Sequence, residues 1–283
     1  MPLLLAAVSV TAMFGATPFL IPVIAGRYGV TEGFAAAISV VQVGVFAVVT
    51  LTFPRWLAPS GVLFRLAGIV FLVANLVSAG LSDFSMLLVS RGVAGGAAGV
   101  LTWIAWADAM RTPRSLAAIA SAGPLTALLA APVLAGLAQL GDRAVYLALA
   151  LVSVPAMLLT FHDTAVKPEE RRVSGSRSNR VLLFALFSLT LFATTLFVFE
   201  AVAARDLLGL SPVAASLGFS LNAAGGLLGA RLASRYRRPG WWVASIGPAA
   251  FLSVAGGHPA FYFLSMAWWG FSYWIGVPGV LQM

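Results

Sequence analysis

The sequence predicts an all-α, polytopic membrane protein with about ten transmembrane helices in two blocks. Three observations carry this. Sixty per cent of the 283 residues are hydrophobic and only 9% are charged, too few charges to coat a water-soluble core. Mean hydropathy is +0.97, and apolar runs of bilayer-spanning length recur along the chain. One long polar stretch, 163–180 (DTAVKPEERRVSGSRSNR), interrupts them and carries five of the 17 basic residues. So polar a segment has no reason to enter hydrocarbon and is expected to be a solvated linker.

A spanning helix needs roughly 20 mostly apolar residues. That rule marks ten candidates: 2–26, 33–53, 61–82, 84–107, 116–138, 144–162, 181–204, 211–231, 241–257 and 259–281. The first run, about 25 residues with no basic n-region, exceeds the roughly 7–15 of a signal peptide and is expected to be a retained span. Only Asp83 separates the third span from the fourth. Pro18, Pro22, Pro124, Pro132, Pro248 and Pro278 fall inside spans, where proline kinks a helix. The expected organisation is a six-helix bundle (1–162), a cytoplasmic linker (163–180) and a partial bundle of four helices (181–283). The second block is about as long as the first four spans, which suggests an internal repeat.

Basic residues set the orientation. With a cytoplasmic N-terminus, 13 of the 17 lie in cytoplasmic connections and only Arg27, Arg143 and Arg205 lie outside, with Arg91 left inside a span. That is a strong positive-inside bias. Trp56, Trp241 and Trp242 fall near the cytoplasmic ends, where interfacial aromatics belong. The net charge of +8 therefore addresses an anionic lipid bilayer rather than nucleic acid.

Several chemistries are excluded. Cysteine is absent, so there is no disulfide or thiolate chemistry. His162 and His258 are expected on opposite sides of the membrane and cannot share a metal. The single lysine, Lys167, lies in no phosphate-binding loop. No enzyme activity and no cofactor are expected.

The fourth span, FSMLLVSRGVAGGAAGVLTWIAWADAM, is the most informative. Arg91 lies about eight residues inside its outer end, roughly 12 Å deep. An intramembrane cation needs a partner or a watery cavity, unless it snorkels to the headgroups. Gly95 and Gly99 follow at helical spacing and suit close helix packing. In the fifth span, Pro132 and Gly136 stand in Ala131-Pro132-Val133-Leu134-Ala135-Gly136. The eighth-to-ninth connection reads Gly229-Ala230-Arg231-Leu232-Ala233-Ser234-Arg235-Tyr236-Arg237-Arg238.

These three segments resemble motifs of the major facilitator superfamily. Arg91-x-x-x-Gly95-x-x-x-Gly99 is similar to the family's Arg-Gly motif on span four. The fifth-span segment resembles its Gly-Pro-x-x-Gly-Gly antiporter motif with two glycines replaced by alanine. The third resembles the second copy of the cytoplasmic loop motif, with Ser234 where aspartate is usual, while FPRWLAPSGVLFR after span two keeps only the basic residues. The resemblance implies two six-span bundles, so the second bundle is expected to be incomplete and the isolated chain to transport poorly. It also implies a cytoplasmic gate, to which Asp108, Gly229, Arg235 and Arg238 would contribute.

The remaining candidates are polar or aromatic residues in spans. On that resemblance Arg91 is expected to contact an anionic group or to modulate the proton site, and Glu200 to accept a proton or to pair with Arg205. Asn222 and Gln42 either line a solute pathway or hydrogen-bond a neighbouring helix. Trp103, Trp269 and Tyr273 lie on spans that the resemblance implies line the central cavity, where they could meet an amphiphilic or cationic ligand. The functional expectation is a secondary transporter in the plasma membrane, moving a small molecule by alternating access, with protons as the coupling ion and a lean towards export. A ten-span drug/metabolite-type transporter and a non-transporting scaffold or permease subunit are the alternatives.

Overall fold

A computed structural model describes residues 1–110, 113–158, 177–232 and 239–281. Among these every regular element is helical, as hydrocarbon requires of a backbone that must satisfy its own hydrogen bonds. The helices are α1 Pro2–Tyr28, α2 Glu32–Ala35, α3 Ala37–Thr52, α4 Gly61–Gly80, α5 Phe84–Ala109 and α6 Pro113–Gln139. Then follow α7 Asp142–Leu158, α8 Arg177–Leu208, α9 Pro212–Leu232, α10 Pro239–Ala255 and α11 Pro259–Leu281. With α2 and α3 forming one span broken at Ala36, the ten expected segments are all present. Six of them are long and apolar enough to cross a membrane by length and composition.

Local chemistry sets the boundaries. The Asp83 side chain accepts from the Met86 amide at 2.8 Å, so the one polar residue between the third and fourth spans is the N-cap of α5. Ser60 caps α4 through the Leu63 amide at 3.2 Å. Gly29 ends α1 in the left-handed conformation, φ 65°, which glycine adopts without steric cost. Proline opens α1, α6, α9, α10 and α11, where its missing N–H would have had no partner anyway. α1, α6 and α10 also run through internal prolines. Several boundaries differ from expectation by a few residues, and α8 overruns at both ends, running from Arg177 to Leu208 rather than 181–204. A helix has no need to stop where hydrocarbon does, because its backbone bonds close equally well in water.

The chain divides into two compact units, Met1–Val166 and Lys167–Met283. In the first, α3 and α4 pack on α5, α7 packs on α4, and α1 contacts α5, α6 and α7. In the second, α9 and α10 pack on α11, with α8 against all three. The pairs α3–α5 and α4–α5 thus recur as α9–α11 and α10–α11, in line with the internal repeat. Among the described residues nothing in the second unit corresponds to α6 and α7.

The tightest crossings depend on glycine. A Cβ on Gly95 would meet the Gln42 carbonyl, and one on Gly99 would lie 2.9 Å from the Phe46 carbonyl. In the second unit Gly225 and Gly229 of α9 face the carbonyls of Ala267 and Phe271, and Gly270 of α11 faces that of Asn222. We expect Gly95→Ala and Gly225→Ala each to destabilise the chain by about 1–3 kcal/mol, the usual cost of overpacking. Gly15, whose added Cβ would touch nothing within 4 Å, should tolerate alanine. Unfolding midpoints of the purified variants in detergent check this; equal midpoints for Gly15→Ala and Gly95→Ala would contradict it.

Candidate functional site

The second unit contains a cavity of about 220 Å³. Ala193, Thr194 and Phe197 of α8 form one side, Asn222 of α9 another, and Trp269, Gly270, Tyr273 and Trp274 of α11 a third. The aromatic walls pack edge to face: Phe197 and Trp269 have centroids 5.8 Å apart at 84°. Tyr273 and Trp274 lie 6.0 Å apart at 72°. Asn222 Nδ2 donates to the Met266 carbonyl at 3.1 Å, tying α9 to α11 just where Gly270 admits the α9 backbone. The cavity therefore brings together three of the candidates expected from sequence, Asn222, Trp269 and Tyr273. Phe197 and Trp274 join them as walls that a scan for polar residues passes over.

Glu200, also on α8, is 2% exposed and its Oε1 has no hydrogen-bond partner. Ser253 of α10 lies beside it. Arg205, the partner that sequence proximity suggests, forms an ion pair at 2.6 Å with its neighbour Asp206.

In the first unit Arg91 does not snorkel: it is 1% exposed. Nη1 donates to Asn75 Oδ1 at 3.0 Å, and Nη2 donates to the Ala74 carbonyl at 3.0 Å and to Ser78 Oγ at 2.7 Å. The guanidinium lies over the Tyr146 ring, 4.6 Å from its centroid. Ser90 extends the cluster, 2.8 Å from Ser78 Oγ and bonded to the Ala74 carbonyl. Arg91 thus joins α4, α5 and α7, its charge dispersed over an amide, a carbonyl, a hydroxyl and a π face rather than a carboxylate.

A second cluster ties three helix ends together. Arg27, in the last turn of α1, donates through Nη1 to both Asp142 oxygens, at 2.7 and 2.6 Å, and through Nη2 to the Leu81 carbonyl after α4. Tyr28 donates to the same carbonyl at 3.0 Å. Asp142, 2% exposed, opens α7 and accepts from the Arg143 amide at 3.0 Å. In the sequence Arg27 reads only as an outer charge; nothing local links positions 115 residues apart.

Solved transporters share this arrangement of helices. A bacterial homolog of the human lysosomal transporter Spinster, inward-facing and occupied, matches at TM-score 0.68 and 13% identity, over 98% of this chain and 72% of that one. The nucleoside transporter NupG matches at 0.70 and 14%, over 97% and 79%. A D-xylose-proton symporter matches at 0.66 and 13%, over 97% and 80%. The chain has the major facilitator fold. No protein-family profile and no curated sequence matches it.

On this facilitator fold the other motif residues have distinct surroundings. Gly95 and Gly99 serve the α3–α5 crossing, and Gly229 the α9–α11 crossing. Gly136 is not crowded; an added Cβ would meet nothing within 4 Å. Pro132 lies within α6. Gln42 is buried, its Nε2 without a partner. Trp103 is half-buried on α5 and Asp108 lies near that helix's end, both in the first unit. Arg235 and Arg238 lie outside the described residues.

Removing one member of the Arg27–Asp142 pair leaves the other charge poorly solvated, which costs about 3–5 kcal/mol for a buried pair and less here, with Arg27 20% exposed. We expect Asp142→Leu to lower the unfolding midpoint more than the double variant Arg27→Met/Asp142→Leu does. Strictly additive effects in a double-mutant cycle would show the pair to be uncoupled.

Proposed function

We propose that this chain is a secondary active transporter that exports a small molecule in exchange for protons, by alternating access. The observation that carries the reading is the cavity in the second unit, where aromatic walls and one amide meet on helices of a transporter fold. Concave sites with apolar walls and few convergent polar groups are the usual form of a small-molecule site. On this reading Asn222, Trp269 and Tyr273 contact the solute.

Glu200 is the proton acceptor. Its support is geometric: a buried carboxylate with one oxygen unbonded can gain a proton without first breaking an ion pair. Arg91 acts indirectly, by holding α4, α5 and α7 in one arrangement. Gln42 and Trp103 belong to the solute pathway in the first unit. Asp108, near the end of α5, belongs to the cytoplasmic gate, whereas Gly229 serves the α9–α11 crossing. The N-terminus is cytoplasmic and the membrane is the plasma membrane, following the distribution of basic residues.

An exchanger binds solute and proton in competition, so solute affinity must rise with pH while the acceptor titrates. The limit is tenfold per pH unit for one proton. We expect a solute selected by thermal-shift screening of the purified chain to bind more tightly at pH 8 than at pH 6. Glu200→Gln should flatten that dependence, and Glu32→Gln, outside the proposed machinery, should not. Affinity that falls as pH rises would indicate co-transport and refute the exchange.

A further inference from the structure

The cavity in the second unit also restricts what kind of solute it can hold, a restriction that rests on its being the solute site. Among the described residues, no lysine, arginine, histidine, aspartate or glutamate lines it. Its polar groups are the Asn222 amide, the Thr194 and Tyr273 hydroxyls and indole N–H groups. An anion would find no cation there; a cation would find ring faces but no carboxylate to neutralise it, among helices where an uncompensated charge is costly.

Size narrows the class further. An apolar cavity of about 150 Å³ accepts benzene in a well-studied model system. At about 220 Å³ this one has room for a single ring with a short substituent. The Phe197–Trp269 and Tyr273–Trp274 pairs, at 84° and 72°, offer both ring faces and ring edges, the complement of an aromatic guest. The Asn222 amide is the polar partner for the substituent. Its Nδ2 gives one N–H to the Met266 carbonyl, which leaves a second N–H and the Oδ1, so the amide can pair with a group that both donates and accepts, such as a hydroxyl.

We infer that this cavity takes an uncharged, single-ring aromatic solute bearing a hydroxyl-like hydrogen-bonding group, the ring held by Phe197, Trp269, Tyr273 and Trp274 and that group on the Asn222 amide.

The test is equilibrium binding to the purified full chain in lipid nanodiscs at pH 8, with lipid-only nanodiscs subtracted. Four radiolabelled probes share one ring: benzyl alcohol, toluene, benzoate and benzyltrimethylammonium. Benzyl alcohol should bind saturably, at least tenfold more tightly than any of the others. Ala193→Trp, which fills the cavity, should abolish that binding while eluting and unfolding as wild type does; Thr194→Trp replaces it if it does not. Tighter binding of benzyltrimethylammonium or benzoate, itself abolished by the filling variant, overturns the solute class but leaves the cavity as a solute site. Toluene binding equal to benzyl alcohol overturns the role of Asn222. Absence of saturable binding by all four, or binding indifferent to the filling variant, overturns the inference. Benzyl alcohol that binds as expected but shows no counterflow in proteoliposomes supports the inference and counts against the transport reading alone.

Discussion

Helices inside hydrocarbon gain little by hiding apolar side chains from one another, since lipid is as apolar as leucine, so they associate where their backbones can approach closely. In this chain those places are glycine crossings. Gly95 and Gly99 set α5 against the carbonyls of α3, and Gly225, Gly229 and Gly270 set α9 against α11. The same pair of helices is used in each unit, yet the glycine stripe is on the later helix in the first unit and mainly on the earlier one in the second. Either placement produces the close approach, because contact requires a missing Cβ on only one side. The cavity follows from this: Gly270 brings Asn222 onto α11, and the amide then bonds the Met266 carbonyl.

Polar side chains add a second kind of attachment, and each unit uses it differently. In the first, Arg91 and Arg27 each engage three helices. Both sets of contacts join α4, or the residue just after it, to α7. In the second, the conspicuous buried ionisable group is Glu200, with an oxygen left unbonded. Arg91 is held through both Nη atoms, with its Nε left without a partner, whereas an unsatisfied carboxylate is costly unless protonated or solvated.

Span number and order are legible in the sequence, because twenty apolar residues in succession report their environment without reference to any neighbour. Gly95 and Gly99 are legible too, since their i, i+4 spacing states their face. Partners are much less so. Arg91 is recognisable as a buried cation, but Asn75, Ser78 and Tyr146 sit on other helices with nothing nearby to mark them. Gly225 and Gly229 show the same spacing as Gly95 and Gly99, so the same signal marks them. Glu200 and Arg205 make a reasonable pair by proximity, yet the chain sets Arg205 against the adjacent Asp206, since a helix turns residues five apart to different faces.

Composition and order along the chain are therefore enough for the class of protein and for ten apolar helical segments in order. Each of these depends on interactions within a few residues or between residue and solvent. The cavity, the Arg91 cluster and the Arg27–Asp142 clamp depend on which helix faces meet. That choice is set by close backbone contact between distant segments, and helical periodicity records only that a face is small or polar, never what lies against it.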